Sequence, residues 1–317
     1  MLTAETLTGN WGTLLLPINK DNSIDFKRLD EEIELLNQSG VDGIYSNGTA
    51  GEFHNQTEDE FDNVNALLAE KCHPHQKPFQ IGASHPSPII SLERIKRSLY
   101  LKPDAFQVIF PDWVSTNKNE RFVFLEKLID TSGGVPLVLY NPPHAKTVLM
   151  PADFAELSSA FPQLIGLKVA ASGKDWYEQM RRYATGISVF LPGHWLATGV
   201  REGVAAGSYS NIACLSPSGA QWWWHLMQAN LEEALEVEKR IHLFFEQCIQ
   251  PFVKKSFSNP ALDKFLAAVG GWAPIGTRIR WPYDWIAESE VDSVKKKARQ
   301  LLPEFFYEHR HKDYHQN

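Results

Sequence analysis

Cysteine is scarce in this 317-residue chain. Cys72, Cys214 and Cys248 are far apart, odd in number and outside any C-x-x-C spacing, which excludes a disulfide framework and a cysteine-bound structural zinc. Positive charge is also short: 31 Lys and Arg stand against 38 Asp and Glu, a formal net charge of −7. Such a chain offers no field for phosphate backbones or anionic lipid, so neither nucleic acid nor a membrane is an expected partner. No run approaches the eighteen or so uninterrupted apolar residues of a membrane span, and the opening MLTAETLTGNWGTLLLPINKD lacks a basic region followed by a long apolar one. Gly/Ser linkers and low-complexity tracts are missing too. The expectation is a cytoplasmic protein with reduced, buried, inert thiols, acting on a small diffusible molecule.

What is present is ordinary globular composition, 43% hydrophobic and 22% charged, in a chain long enough for one large core with an appendage or for two cores. Short apolar runs alternate with amphipathic helical patterns. WGTLLLPIN precedes DFKRLDEEIELLNQSG, where Phe26, Leu29, Ile33 and Leu36 share a helical face and Ser39-Gly40 closes it. DGIYSN precedes TEDEFDNVNALLAEK, with Thr57 and Glu60 at capping-box spacing. PFQIGAS, DAFQVIF, VPLVLYN, LIGLKVA, ISVFLPG and GSYSNIA continue the series, each followed by a helical pattern; Ser87-Pro88 and Ser216-Pro217 mark two of the helix starts. Eight strand-helix units in about 220 residues predict a parallel sheet closed as a (β/α)8 (TIM) barrel over residues 1–228, with a doubly wound open sheet as the alternative. From about Asn230 the strand signal stops. LEEALEVEKRIHLFFEQCIQ, PALDKFLAAVGG and SEVDSVKKKARQLLPEFF read as three helices of a C-terminal appendage, residues 229–317.

In a barrel the C-terminal strand ends build the site. The second unit ends in SNGTAGEF, whose glycines let backbone N–H groups approach a carboxylate, or form a turn with nothing bound. The fifth ends in LYNPPHAKT, with Tyr140 at the mouth as an acid/base hydroxyl or as packing. The sixth, LIGLKVAA, runs apolar residues straight into Lys168, which either snorkels to the rim or is held dry, where desolvation exposes a neutral amine for carbonyl attack.

GTAGE near residue 50, YNPP near 140 and GLKVA near 168, in that order at strand ends two, five and six, resemble the dihydrodipicolinate synthase and N-acetylneuraminate lyase family of pyruvate-dependent Schiff-base aldolases. The likeness spans nearly the whole chain. It implies that Lys168 forms the Schiff base with a 2-keto acid, that Tyr140 moves protons, and that Thr49 relays them. It further implies that the backbone of the Thr-Ala-Gly stretch, through Ala50 and Gly51, cradles the carboxylate while Glu52 braces the loop. No cofactor is implied. A homo-oligomer, dimer or tetramer, is.

Three departures accompany the resemblance. Trp113 in FPDWV stands where the synthase branch has a second tyrosine, Ala145 stands in place of its substrate-gripping arginine, and Ala50 replaces a second hydroxyl. They point away from the synthase reaction itself and leave the Schiff-base step in place. The expected activity is that of an aldolase or dehydratase on a 2-keto acid such as a 2-keto-3-deoxy sugar acid, with dihydrodipicolinate synthesis and a non-catalytic binding or regulatory role as alternatives. The expected substrate-binding set is Ala50, Gly51, His144, Lys146, Trp113 and Ser210. Asp112, His144 and His194 also fall near strand ends and give a metal-dependent aldolase as a third reading, but their spacing matches no metal-ligand motif, and no metal is expected. Trp222, Trp223 and Trp224 point to different sides of one helix and are read as structural, and the terminal His309, His311 and His315 as a solvated tail.

Overall fold

A computed structural model describes residues 1–171, 173–209 and 211–307. Eight strands, β1 (Gly9–Thr13), β2 (Gly43–Ser46), β3 (Phe79–Gly82), β4 (Ala105–Val108), β5 (Leu137–Asn141), β6 (Leu164–Val169), β7 (Ser188–Phe190) and β8 (Gly207–Tyr209), pair in parallel in that order. β8 returns to β1, so the barrel is closed and the open-sheet alternative is excluded. Between strands run α1 (Phe26–Gln38), α2 (Glu58–Cys72), α3 (Pro88–Ser98), α4 (Lys118–Thr131), α5 (Pro151–Ala160), α6 (Gly173–Tyr183) and α7 (Leu196–Arg201). After β8 come a short α8 (Asn211–Leu215), α9 (Pro217–Ala229) and α10 (Leu231–Phe244). A π-helical turn, Phe245–Ile249, then leads into α11 (Gln250–Val253), α12 (Asn259–Gly270) and α13 (Val291–Leu301).

Local chemistry accounts for these boundaries. The Thr57 hydroxyl accepts from the Glu60 N–H at 3.2 Å while the Glu60 carboxylate accepts from the Thr57 N–H at 2.9 Å, so the first turn of α2 is capped from both sides. That helix buries Phe61, Val64 and Leu68 against the barrel; trimming Phe61 to alanine would cost about 3–5 kcal/mol. α1 stops at Ser39, with Gly40 at φ 84°, a left-handed conformation that glycine adopts without strain.

The core has three parts. One lies between the strands and α1–α6, and a second among α7–α13. The third fills the barrel and is aromatic: Trp11, Tyr45, Phe190 and Tyr209 pack with Leu7, Val138 and Ile165. Trp11 fits because β2 carries glycine opposite it; a Cβ on Gly43 would lie 2.6 Å from the indole. These rings form a solid floor beneath the C-terminal mouth. No helix among the described residues is long and apolar enough to cross a membrane.

Candidate active site

Above that floor lies a cavity of ≈ 400 Å³ lined by Thr13, Tyr45, Thr49, Tyr140, Lys168 and Tyr209 from the strand ends and by Asn259, Leu262 and Asp263 from α12. A second cavity of ≈ 360 Å³ shares Thr49, Tyr140, Pro142, His144 and Asn259 with the first. The C-terminal helices therefore do more than cover the barrel, because α12 supplies one wall of the site.

Tyr140 and Lys168 are register partners on β5 and β6, both directed inward. The Lys168 Nζ lies 4.4 Å from the centroid of the Tyr140 ring, 4.9 Å from that of Tyr45 and 5.5 Å from that of Tyr209, and it donates to the Tyr45 hydroxyl at 3.4 Å. Two effects oppose each other at this amine. Ring faces attract the ammonium form, but removal from water disfavours it. Burial wins and pulls the Lys168 amine down to about 8, with the Asp263 carboxylate holding it partly up. About one molecule in ten then carries a neutral amine at pH 7, against about one in three thousand at the ordinary lysine value.

Tyr140 is half-buried and hydrogen-bonded to the Thr49 hydroxyl. Burial pushes its phenol upward while that hydrogen bond pulls it back. The phenol therefore keeps its proton at neutral pH and can donate it to an oxygen in the cavity. Thr49 belongs to the loop after β2, where the N–H groups of Thr49 and Ala50 make no hydrogen bond within the described chain and Ala50 lines the cavity. The loop is held tightly. A Cβ on Gly51 would lie 2.9 Å from the Leu14 carbonyl oxygen, and Glu52 adopts the left-handed conformation at φ 53°. The Glu52 carboxylate pays for that strain with a fully buried ion pair to Lys264 of α12 at 2.5 Å and a bond from the Arg280 N–H at 2.9 Å. Glu52 thus braces the loop from behind, and Gly51 allows the close approach without itself lining the cavity.

The other expected site residues divide. His144 lines both cavities, on a loop pinned where Asn141 donates to the Thr147 carbonyl and accepts from the Leu149 N–H, each at 2.8 Å. Trp113 and Lys146, expected as an apolar wall and a compact charge, line neither of these two cavities. Trp113 is 80% exposed; the Lys146 Nζ bonds its carbonyl at 2.6 Å and sits 5.1 Å from its ring. Ser210, like the three tail histidines, lies outside the described residues. Asp112 accepts from the Lys146 N–H at 2.9 Å. His194 pairs with the Asn211 side chain at 2.9 Å, stacks on Phe245, and is pulled down to about 4 by burial. Trp223 is buried, donating from its indole to the Ala234 carbonyl.

Sequence reasoning did not name Tyr45, Tyr209 or Asp263. Strand alternation could have supplied the tyrosines, since each occupies an inward position at a strand mouth. Asp263 left no such signal, because nothing local distinguishes it from a solvated helix residue.

The sequence profile of the dihydrodipicolinate synthetase family matches residues 6–301. The chain belongs to that family. It is 23% identical over 298 residues, 91% of this chain and 96% of the relative, to an uncharacterised DapA-like lyase of Pyrococcus abyssi. It is 23% identical over 162 residues to the 4-hydroxy-tetrahydrodipicolinate synthase of Staphylococcus epidermidis, covering 51% of this chain and 54% of that one. An N-acetylneuraminate lyase of Escherichia coli matches at 25% over 182 residues, 56% of this chain and 60% of the relative. The matches to these two named enzymes thus span only about half of each. Among solved structures, an E. coli prophage protein of the family in complex with pyruvate superposes with a TM-score of 0.80 at 19% identity, covering 93% of this chain and 98% of that one. The profile establishes the family and the superposition the fold, while identities this low stop short of a substrate.

Proposed function

We propose that this family member is a Schiff-base lyase, an aldolase or dehydratase, acting on a 2-keto acid through Lys168. One observation carries the reading: a desolvated amine stands in register with a proton-bearing tyrosine that is itself hydrogen-bonded to Thr49. The neutral Lys168 amine adds to the C2 ketone, and the nitrogen's proton and that of Tyr140 leave with the ketone oxygen as water. The resulting iminium accepts the electron pair of a bond broken at C3. In a retro-aldol step that bond is C3–C4 and the C4 hydroxyl proton returns to Tyr140, whereas in dehydration the Tyr140 phenolate takes a C3 proton and hands it to the departing C4 hydroxide, which leaves as water. The free N–H groups of Thr49 and Ala50 suit the C1 carboxylate. The pyruvate bound to the E. coli prophage protein and the names of the relatives support a 2-keto acid.

For the finer choice, a 2-keto-3-deoxy sugar acid is favoured over the synthase reaction. Among the described residues no arginine lines either cavity, so a second substrate's carboxylate lacks the bidentate fork that residue supplies. The test is borohydride reduction with pyruvate followed by peptide mapping. A permanent adduct on Lys168 alone is expected; an adduct on another lysine, or none at saturating pyruvate, overturns the mechanism. Screening retro-aldol and dehydration of 2-keto-3-deoxy sugar acids beside condensation of pyruvate with aspartate semialdehyde then separates the two substrate readings.

A further inference from the structure

The cavity has a second charged wall that imine formation does not use. The first turns of α12 enter it, with Asn259, Leu262, Asp263 and Leu266 facing inward. The next residue, Lys264, points the other way into the buried pair with Glu52. That pair and the buried Ala261, Phe265 and Val269 set the rotation of the helix, so Asp263 is aimed at the cavity by its neighbours' anchors and not by partners of its own. Its carboxylate makes no hydrogen bond or ion pair with a described residue, and the charge it feels is that of Lys168. Among the described residues lining the cavity, Asp263 is the one carboxylate and Lys168 the one amine.

A carboxylate with open oxygens in such a space accepts hydrogen bonds from hydroxyls and repels another carboxylate, with far less screening than in bulk water. We propose that Asp263 is the charge filter of the Lys168 cavity, admitting 2-keto acids whose chain beyond C3 is neutral and hydroxyl-bearing and rejecting those that end in a second carboxylate. This selectivity rests on the imine reading above. Burial pushes the Asp263 carboxyl up to about 7, and the titratable groups facing it are Lys168 on β6, Tyr140 on β5, Tyr45 on β2 and Cys214 on α8. The filter is accordingly read at about pH 8.5, where the carboxyl is ionised.

The experiment uses 2-ketopentanoate and 2-ketoglutarate, which share a five-carbon chain and differ in a terminal methyl against a carboxylate. The concentration of each that half-saturates borohydride labelling of Lys168 is measured by intact mass for the unmodified protein, Asp263→Asn and Asp263→Glu. 2-Ketoglutarate is expected to need about 30-fold more than 2-ketopentanoate in the unmodified protein, a ratio that falls about 10-fold in Asp263→Asn and is largely restored in Asp263→Glu. An unchanged ratio in Asp263→Asn, with Lys168 still labelled, overturns the filter and leaves the imine intact. Absence of labelling by either acid and by pyruvate overturns the imine reading, and calorimetric affinities of the same two acids for the same variants then decide the filter separately.

Discussion

Tyr140 and Lys168 face each other across one rung of the barrel, with the amine 4.4 Å from the phenol ring. Adjacent parallel strands keep the pair together, so its geometry depends on the sheet and not on a mobile loop. Replacing Tyr140 by phenylalanine keeps the ring and removes the proton. Pyruvate-dependent labelling of Lys168 is expected to slow by about 10²- to 10⁴-fold with the circular dichroism spectrum unchanged. Labelling at the original rate would reduce Tyr140 to packing.

The amine's own titration sets a pH profile. Nucleophilic attack needs the neutral form, so the rate of adduct formation should rise with pH and level off above about 8, where burial has placed Lys168. The Asp263 carboxylate favours the ammonium, so Asp263→Asn should lower the lysine's pKa and move the midpoint to lower pH. A midpoint near the ordinary lysine value would mean that the amine is solvated.

Glu52 and Lys264 are both fully buried and bonded to each other. Removing one partner leaves an uncompensated buried charge, which costs about 3–5 kcal/mol. Glu52→Gln is therefore expected to shift the urea unfolding midpoint strongly downward, and adding Lys264→Met should recover part of the loss. The single variant should also lose labelling more than fold, because the pair holds both the loop carrying Thr49 and the helix carrying Asp263.

Trp113, Val114 and Ile89 are 80%, 71% and 67% exposed and line one surface groove outside the two cavities. Apolar surface of this kind on a folded protein marks a contact. A homo-oligomer is expected in sedimentation at micromolar concentration, and Trp113→Glu should weaken it; a monomer under those conditions would sink the expectation.

Much of this molecule was legible from residue order alone. Strand periodicity, the Thr57–Glu60 cap, Ser87-Pro88 and Ser216-Pro217 fix where elements start, because caps and alternation act over a few residues. The likeness in GTAGE, YNPP and GLKVA picked out Lys168, Tyr140 and Thr49, which the barrel does bring to one cavity. Closure of the sheet, the tyrosines around the amine and the wall contributed by α12 were decided only in three dimensions. Asp263 lies 95 residues after Lys168 in the chain and meets the same cavity because α12 is anchored beside it, by Lys264 reaching Glu52 and by the buried Ala261, Phe265 and Val269. Trp113 and Lys146 show the opposite: each follows a strand mouth in sequence, yet the loops after β4 and β5 carry them outside both cavities by a course that no local pattern encodes. A side chain's neighbours along the strand set its face, but its neighbours across the cavity are set by packing between elements far apart in the chain.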